Sequence, residues 1–450
     1  MDPREPFLFR AARWLTFGSA VAILFSIAIS QILLALALAA LLISGEKLRL
    51  PPIKLPLALF LLGTVISLAF SGNPAAGLPQ IRKFYVFLEL LVVFSTLRDM
   101  AWLRRLVLVW AGTGALIAVR GLVQFAGKVQ EAHERGINFY DYYAPAERMT
   151  GFMSHWMTFS GQEMFALLML AAFLFFAPAS MKRGWAWFLC GALMSLALLL
   201  GFTRSIWLAT AAAGVYLLWF VRRWLVAAVP VAAALAFLLS PSAVRERFTS
   251  LIHPKQGIDS NEFRVVTWRT GLRMLEQHPL LGVGPEGVKL HFTDYVPSDI
   301  PRPLPSGWYG HLHNIYLHYA AERGVPTMLM LLWLQLQTLF DFWRGLRALP
   351  QGRSDQRFLL QGGIAVVIAT MVAGFFELNL GDSEVLTMFL VVVACGYLAL
   401  DKEVVVRSGW PLPAHEGCPG GSVPKRQSIA DQAKLVQCKQ HYRLQALADT

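Results

Sequence analysis

The residues best suited to chemistry crowd into one stretch, HLHNIYLHYAAERGVP at 311–326, which sets His311, His313 and His318 beside Asn314, Glu322 and Arg323 in an otherwise apolar chain. An imidazole titrates near pH 6.5, so a histidine here is a reasonable base for a substrate hydroxyl at neutral pH. Arginine supplies the complementary chemistry. Arg204 lies in LLLGFTRSIWLATAAAG between two apolar runs with almost no loop to hold it, and Arg120 lies inside the apolar run VLVWAGTGALIAVRGLVQF. A charge this close to hydrocarbon is costly and is kept by default for function, although a long side chain can also snorkel to the interface. Arg264, Arg269 and Arg273 share the segment DSNEFRVVTWRTGLRMLEQHP. Arg269 and Arg273 are four apart on one helical face, and each guanidinium is a planar fork of donors suited to phosphate. Salt bridges to Glu262 or Glu276 are the alternative use of these side chains.

Other patterns carry less. His311 and His313 are two apart, which is not the i, i+4 spacing by which a helix presents two metal ligands. GVGPEG at 282–287 matches G-x-G-x-x-G in its letters. It follows a helix instead of a strand and Pro285 interrupts it, so it reads as a turn cluster and not as a dinucleotide site. Asp382-Ser383-Glu384 is the nearest approach to a D-x-D motif in an outer loop. His415-x-x-Cys418 and Cys438-x-x-His441 imitate a zinc ligand set in a tail that shows no core around them. Cys190 and Cys395 fall in apolar runs and read as packing residues, so no disulfide is expected. The sequence leads to no expected metal, cofactor or nucleic-acid partner.

The elements that must position these residues follow from composition. Of 450 residues, 56% are hydrophobic and only 15% charged, and the mean hydropathy is +0.50. That is too apolar for a soluble protein of this length and predicts an all-α polytopic membrane protein in a lipid bilayer. Apolar windows recur near 54–71, 82–97, 105–125, 157–178, 184–201, 203–221, 224–240, 325–343, 358–377 and 384–400. The run from Leu15 to Ser44 is flanked by Arg4, Arg10 and Arg13 on one side and Lys47, Arg49 and Lys54 on the other. If both basic clusters are cytoplasmic, the run is a hairpin of two spans, and every later basic loop then falls on the same side. A single span there would put the basic N-terminus outside. The hairpin gives about twelve spans with both termini in the cytoplasm: 1–14 a cytoplasmic N-terminus, 15–240 spans one to nine, 241–324 a large periplasmic loop, 325–400 spans ten to twelve, and 401–450 a mostly disordered cytoplasmic tail.

Three segments then face outward: 126–156, ELNLGDSE at 377–384, and 241–324. Their many arginines stand on the side that basic residues avoid, which points to an anionic ligand there. Within the large loop, Asp259 and Glu262 form a candidate capping box for a helix ending at His278-Pro279. A second helix is expected from Leu312 to Arg323, with His311, Ile315, His318 and Glu322 on one stripe and His313, Tyr316, Leu317 and Ala320 on another, stopped by Gly324 and Pro326 before the next span.

The same stretch resembles the signature of the O-antigen ligase and polymerase superfamily, in which His followed by Asn, Ser or Gln is separated by nine residues from glycine. His313-Asn314, nine residues and Gly324 fit that spacing, while the second glycine, three positions on, is Thr327 here. TRSIWLA after a span, Arg264-x-x-x-Trp268 and HPLLGVGP in the loop are also similar to the family, and the likeness covers roughly residues 15–400. The resemblance implies a GT-C-like fold in the bacterial inner membrane. It also implies a metal-independent inverting transfer of a glycan from undecaprenyl pyrophosphate to an acceptor hydroxyl. The acceptor is lipid A-core in ligases and another repeat unit in polymerases. It implies His313 as base and Arg204 and Arg264, then Arg273 and Arg269, as pyrophosphate contacts. His311, Asn314 and Arg120 are expected in support. The alternatives are a polymerase of the same superfamily, a lipid-linked glycan transporter, and, more weakly, a non-catalytic assembly subunit.

Overall fold

The computed structural model describes residues 6–178, 184–250, 252–253, 261–305 and 307–407. The tail with its Cys/His pairs, and Asp259 with its expected cap, lie outside the described residues. Backbone inside lipid must satisfy its own hydrogen bonds, which helices do segment by segment. The described residues contain no strand.

The run from Leu15 to Ser44 divides into α1 (Phe7–Ala22) and α2 (Ile27–Ile43), which pack against each other; Ser26 caps α2 by accepting from Ile29 N–H. The helix α3 (Lys54–Ala69) follows. The expected span at 82–97 is broken: α4 (Pro74–Arg82) leads into a 3-10 turn at Lys83–Phe87 and then α5 (Leu88–Thr96), enclosed by α1, α2 and the later helix Ser383–Leu400. The helix α6 (Met100–Glu134) runs well past the expected 105–125, and α7 (Phe139–Tyr143) is a short turn of helix. Then come α8 (Trp156–Phe176), α9 (Trp185–Leu200), α10 (Arg204–Val221) and α11 (Arg223–Leu239). Three helices form the segment expected outside the membrane: α12 (Ser242–Thr249), α13 (Asn261–Gln277) and α14 (Gly287–Tyr295). The chain closes with α15 (Ile315–Ala348), α16 (Asp355–Gly374), α17 (Ser383–Leu400) and α18 (Lys402–Arg407).

Six helices among the described residues are long and apolar enough to cross a membrane, α6, α8, α10, α15, α16 and α17, and shorter apolar helices accompany them. The protein is therefore an all-helical polytopic membrane protein. The helices α8, α16 and α17 are apolar around their whole circumference because they are buried on every side. At one end of the bundle the basic loops meet acidic partners: Arg49 pairs with Asp401, Arg98 with Glu46 at 3.3 Å and Arg104 with Asp355 at 2.7 Å.

At the other end a separate small core joins α13, α14 and the start of α15. It is built from Val266, Met274, Val288, Phe292, Val296, Ile300, Leu312 and Ala321. The segment HPLLGVGP wraps a break in α15. Gly324 takes φ 82° and ψ 158°, a backbone region open in practice only to glycine. Pro326 has no N–H to give the Glu322 carbonyl, which accepts instead from Gly284 N–H at 2.8 Å and the Ser67 hydroxyl at 3.0 Å. Val283 N–H donates to the Ala321 carbonyl and Val325 N–H to the Pro279 carbonyl, each at 2.8 Å. The expected stop at Gly324 is thus a kink locked by the 279–284 turn, and the helix resumes to Ala348.

Candidate functional site

Leu312 anchors the histidine segment. It is fully buried, and it sits against α13 where Gly271 leaves room for it, since a Cβ at Gly271 would overlap the leucine side chain. Asn314 ends the segment as the N-cap of α15, its Oδ1 accepting from Leu317 N–H at 3.0 Å. Between these fixed points His313 has a left-handed backbone, φ 49°, a strained conformation for a non-glycine residue. The expected helix from Leu312 is therefore corrected: it starts at Ile315, and His311 and His313 precede it instead of lying on its stripes. A left-handed residue cannot continue a right-handed helix, and the cap at Asn314 satisfies one free N–H of the first turn, that of Leu317.

Glu377 organises the site. It follows α16, extends that helix end by donating its N–H to the Ala373 carbonyl, and is 2% exposed. His313 Nδ1 lies 3.0 Å from its Oε2. Its Oε1 accepts from Arg264 Nη2 at 2.5 Å and from the Ser205 hydroxyl at 3.3 Å. Burial raises the Glu377 pKa, but the Arg264 guanidinium and the His313 hydrogen bond outweigh it and hold it below the usual carboxylate value. An ionised carboxylate only accepts, so the proton in the His313 contact belongs to Nδ1, and Nε2 carries the free lone pair. His311 lies beside it, with ring centroids 4.1 Å apart, and its Nδ1 accepts from His313 N–H at 3.4 Å. Burial, then the neighbouring His313, push His311 down to about 3.

Arg204 opens α10, which lets it sit at the helix end instead of in the apolar interior. Its guanidinium donates to the Ser250 carbonyl and hydroxyl, both at 3.1 Å, and to Asn261 Oδ1 at 2.7 Å. Arg247 reaches the Phe202 carbonyl at 3.0 Å, and Arg148 stands close by. Burial first, and then Arg247, push the Arg148 guanidinium down to about 9.

Two cavities flank the Glu377–Arg264 pair. One, of about 350 Å³, is lined by Arg204, Arg264, Asn261 and Trp268 together with apolar Leu208, Val265 and Phe376. Arg264 Nε and Trp268 Nε1 are buried donors without a partner among the described residues, which suits this cavity to an anion. Trp268 also borders an apolar cavity of about 500 Å³ between α13, α15 and α16. On the other side, Glu377 and His311 line a polar cavity of about 310 Å³ with His318, Glu322, Asn379 and Asp382.

A family model described as O-Antigen ligase matches residues 189–332. The match spans less than half of the chain and shows what this segment is similar to, the O-antigen ligase family. That segment supplies Arg204, Arg264 and His313, whereas Glu377 lies beyond its matched end and is contributed by the following helix pair. No curated relative matches the chain.

Of the site residues expected from the sequence, the structure gathers His313, His311, Arg264 and Arg204. Asn314 is there as a cap. Arg269 instead pairs with Asp299 at 2.7 Å on an exposed face, with Arg273 close enough to act on the same carboxylate. Arg120 donates to the Gly151 carbonyl at 2.9 Å and lies over Phe152, bracing the 151–152 loop outside the His313 cluster. Glu377 was not singled out: one carboxylate at the end of an apolar run looks like an ordinary interfacial residue. Thr327, the departure from the ligase signature, packs against Gly63 of α3, where a Cβ would collide with the threonine hydroxyl, so the small residue sits on the partner helix.

Proposed function

We propose that the protein is a metal-independent inverting glycosyltransferase of the O-antigen ligase type. In this reading it moves a glycan from undecaprenyl pyrophosphate to an acceptor hydroxyl, lipid A-core in the ligase form, at the periplasmic face of the bacterial inner membrane. We read about twelve spans, a GT-C-like arrangement and cytoplasmic termini. The observation that carries the proposal is the triad of contacts on Glu377: one carboxylate orients His313 and pairs with Arg264, whose other face lines the cationic cavity.

The chemistry follows from those contacts. The acceptor hydroxyl loses its proton to His313 Nε2 as its oxygen attacks the anomeric carbon from the side opposite the pyrophosphate. The bond from that carbon to the pyrophosphate oxygen breaks, and its electron pair leaves on the lipid pyrophosphate. Glu377 keeps the imidazole in the reactive tautomer and stabilises the imidazolium that forms, the role a buried carboxylate plays beside a catalytic histidine. Arg264 and Arg204, fixed before the reaction, face the charge that grows on the leaving group. They supply the stabilisation for which many transferases use a divalent cation. The apolar cavity beside Trp268 suits an isoprenoid chain.

The structure-independent test is transfer by the purified protein from an undecaprenyl-pyrophosphate glycan to lipid A-core, with and without EDTA. Product on lipid A-core that survives EDTA supports a ligase, and glycan elongated on the lipid carrier supports a polymerase. Absence of transfer to every acceptor, with donor bound, would favour a transporter.

A further inference from the structure

Three buried atoms of residues lining the polar cavity are short of hydrogen bonds: Asn379 Nδ2 and His318 Nδ1 have no partner among the described residues, and Glu322 Oε2 faces only His318 Nε2, at 3.4 Å. Their residues are 3%, 5% and 2% exposed. Buried polar atoms are nearly always satisfied, so a cluster of such atoms around one cavity marks a place where a ligand supplies the missing bonds. The set is mixed. A carboxylate oxygen only accepts and an amide nitrogen only donates, whereas a sugar hydroxyl does both, and neighbouring hydroxyls on a ring can serve the two at once. Trp308, 60% exposed, borders the same cavity and contacts His311 edge-on at 5.0 Å, offering an aromatic face for the apolar side of a ring.

The charges around this cavity are opposite to those across the ion pair. Glu286, Glu322, Glu377 and Asp382 line it, against Lys83, whose ammonium is engaged by the Gly381 carbonyl at 3.2 Å. Arg323 of α15 donates to Gln80 Oε1 at 3.2 Å, on a residue that also lines the cavity, lies over Tyr319, and offsets part of the Glu322 charge. The arginine-lined cavity suits pyrophosphate; a carboxylate-lined one repels a second anion.

We propose that the polar cavity is the acceptor subsite and that it takes a neutral or amino-bearing sugar in preference to a phosphorylated or carboxylated one. This rests on the transferase reading and adds the acceptor's chemical class to it. Glu322 and Asn379 hold the ring by its hydroxyls, Trp308 covers one face, and the hydroxyl to be glycosylated points past His311 toward His313.

The test needs neither donor nor turnover. Saturation-transfer difference NMR on the full chain in detergent is run with methyl β-glucoside, methyl β-glucosaminide, glucose 6-phosphate and glucuronate. The first two receive saturation and the two anionic sugars receive far less. Glu322→Gln and Asn379→Ala each weaken the neutral sugar's binding about tenfold, the loss expected for one buried polar contact. Should either variant fail to fold, Trp308→Ala, at an exposed position, weakens it in their place. Equal or stronger binding of the anionic sugars, binding unchanged by these substitutions, or no binding of any sugar by folded protein would overturn the proposal. Sugar binding in a protein that transfers nothing would instead leave the subsite standing and remove the transferase reading.

Discussion

His313 Nδ1 and Glu377 Oε2 lie 3.0 Å apart across 64 residues of sequence. The contact joins the segment that enters α15 to the segment that leaves α16, and it sets which imidazole nitrogen faces the substrate. It also ties the base to the arginine side, because the same carboxylate holds Arg264.

Glu377→Gln keeps the size and removes the charge. The amide can present either an acceptor or a donor to Nδ1, so the reactive tautomer is no longer enforced. The turnover number falls by about 10² to 10⁴-fold with the donor KM nearly unchanged, as when a buried carboxylate beside a catalytic histidine is neutralised. Steady-state kinetics at saturating acceptor check this.

Arg264→Lys retains a positive charge but loses the fork that serves Glu377 and the cationic cavity together. Donor KM rises about tenfold or more. Arg269→Ala, by contrast, removes a guanidinium 46% exposed and paired with a carboxylate 63% exposed. Such pairs contribute roughly 0–1 kcal/mol, so transfer stays within about threefold of wild type. Measuring both variants in one assay separates the two arginines that the sequence grouped.

Gly324→Ala forces a side chain into a conformation it rarely adopts and drives its Cβ into the Leu280 carbonyl. The expected cost is about 2–3 kcal/mol. The thermal midpoint of the solubilised protein falls, and transfer falls with it because the 279–284 turn no longer closes over the kink.

Asp382 gives a pH signature. Burial, opposed by the Thr158 hydrogen bond and reinforced by Glu384, raises its carboxyl to about 6 from an ordinary value near 4. Lys83 and Glu377 also act on it, in opposite senses. A carboxyl raised on folding contributes stability that is fully present below its unfolded pKa and is lost as pH rises through about 6. Asp382→Asn removes that loss. The variant is therefore more stable than wild type at pH 8 by on the order of 2 kcal/mol, and the advantage vanishes near pH 4. Thermal unfolding at both pH values reads it directly.

Much of this was legible in the sequence, and the failures have physical causes. Hydropathy showed the membrane helices and basic clusters split the first run, because lipid forces backbone into apolar helices. His313 to Gly324 was legible as a spacing because the kink needs glycine at one end and the cap needs Asn314 at the other. The helix start was misjudged because an apolar leucine at 312 continues a helical pattern, although its burial against Gly271 belongs to the loop. Arg269 and Arg273 looked like ligands because periodicity gives the face of a helix and not what that face meets. Glu377 was invisible because its meaning lies entirely in a contact between distant segments.

The most direct test of the account is single-turnover transfer from bound undecaprenyl-pyrophosphate glycan by wild type and His313→Ala, with donor affinity measured on the same preparations. The variant is expected to bind donor as wild type does and to transfer about 10² to 10⁴-fold more slowly, the usual contribution of a positioned general base. Transfer at the wild-type rate, or loss of donor binding in step with transfer, would contradict it.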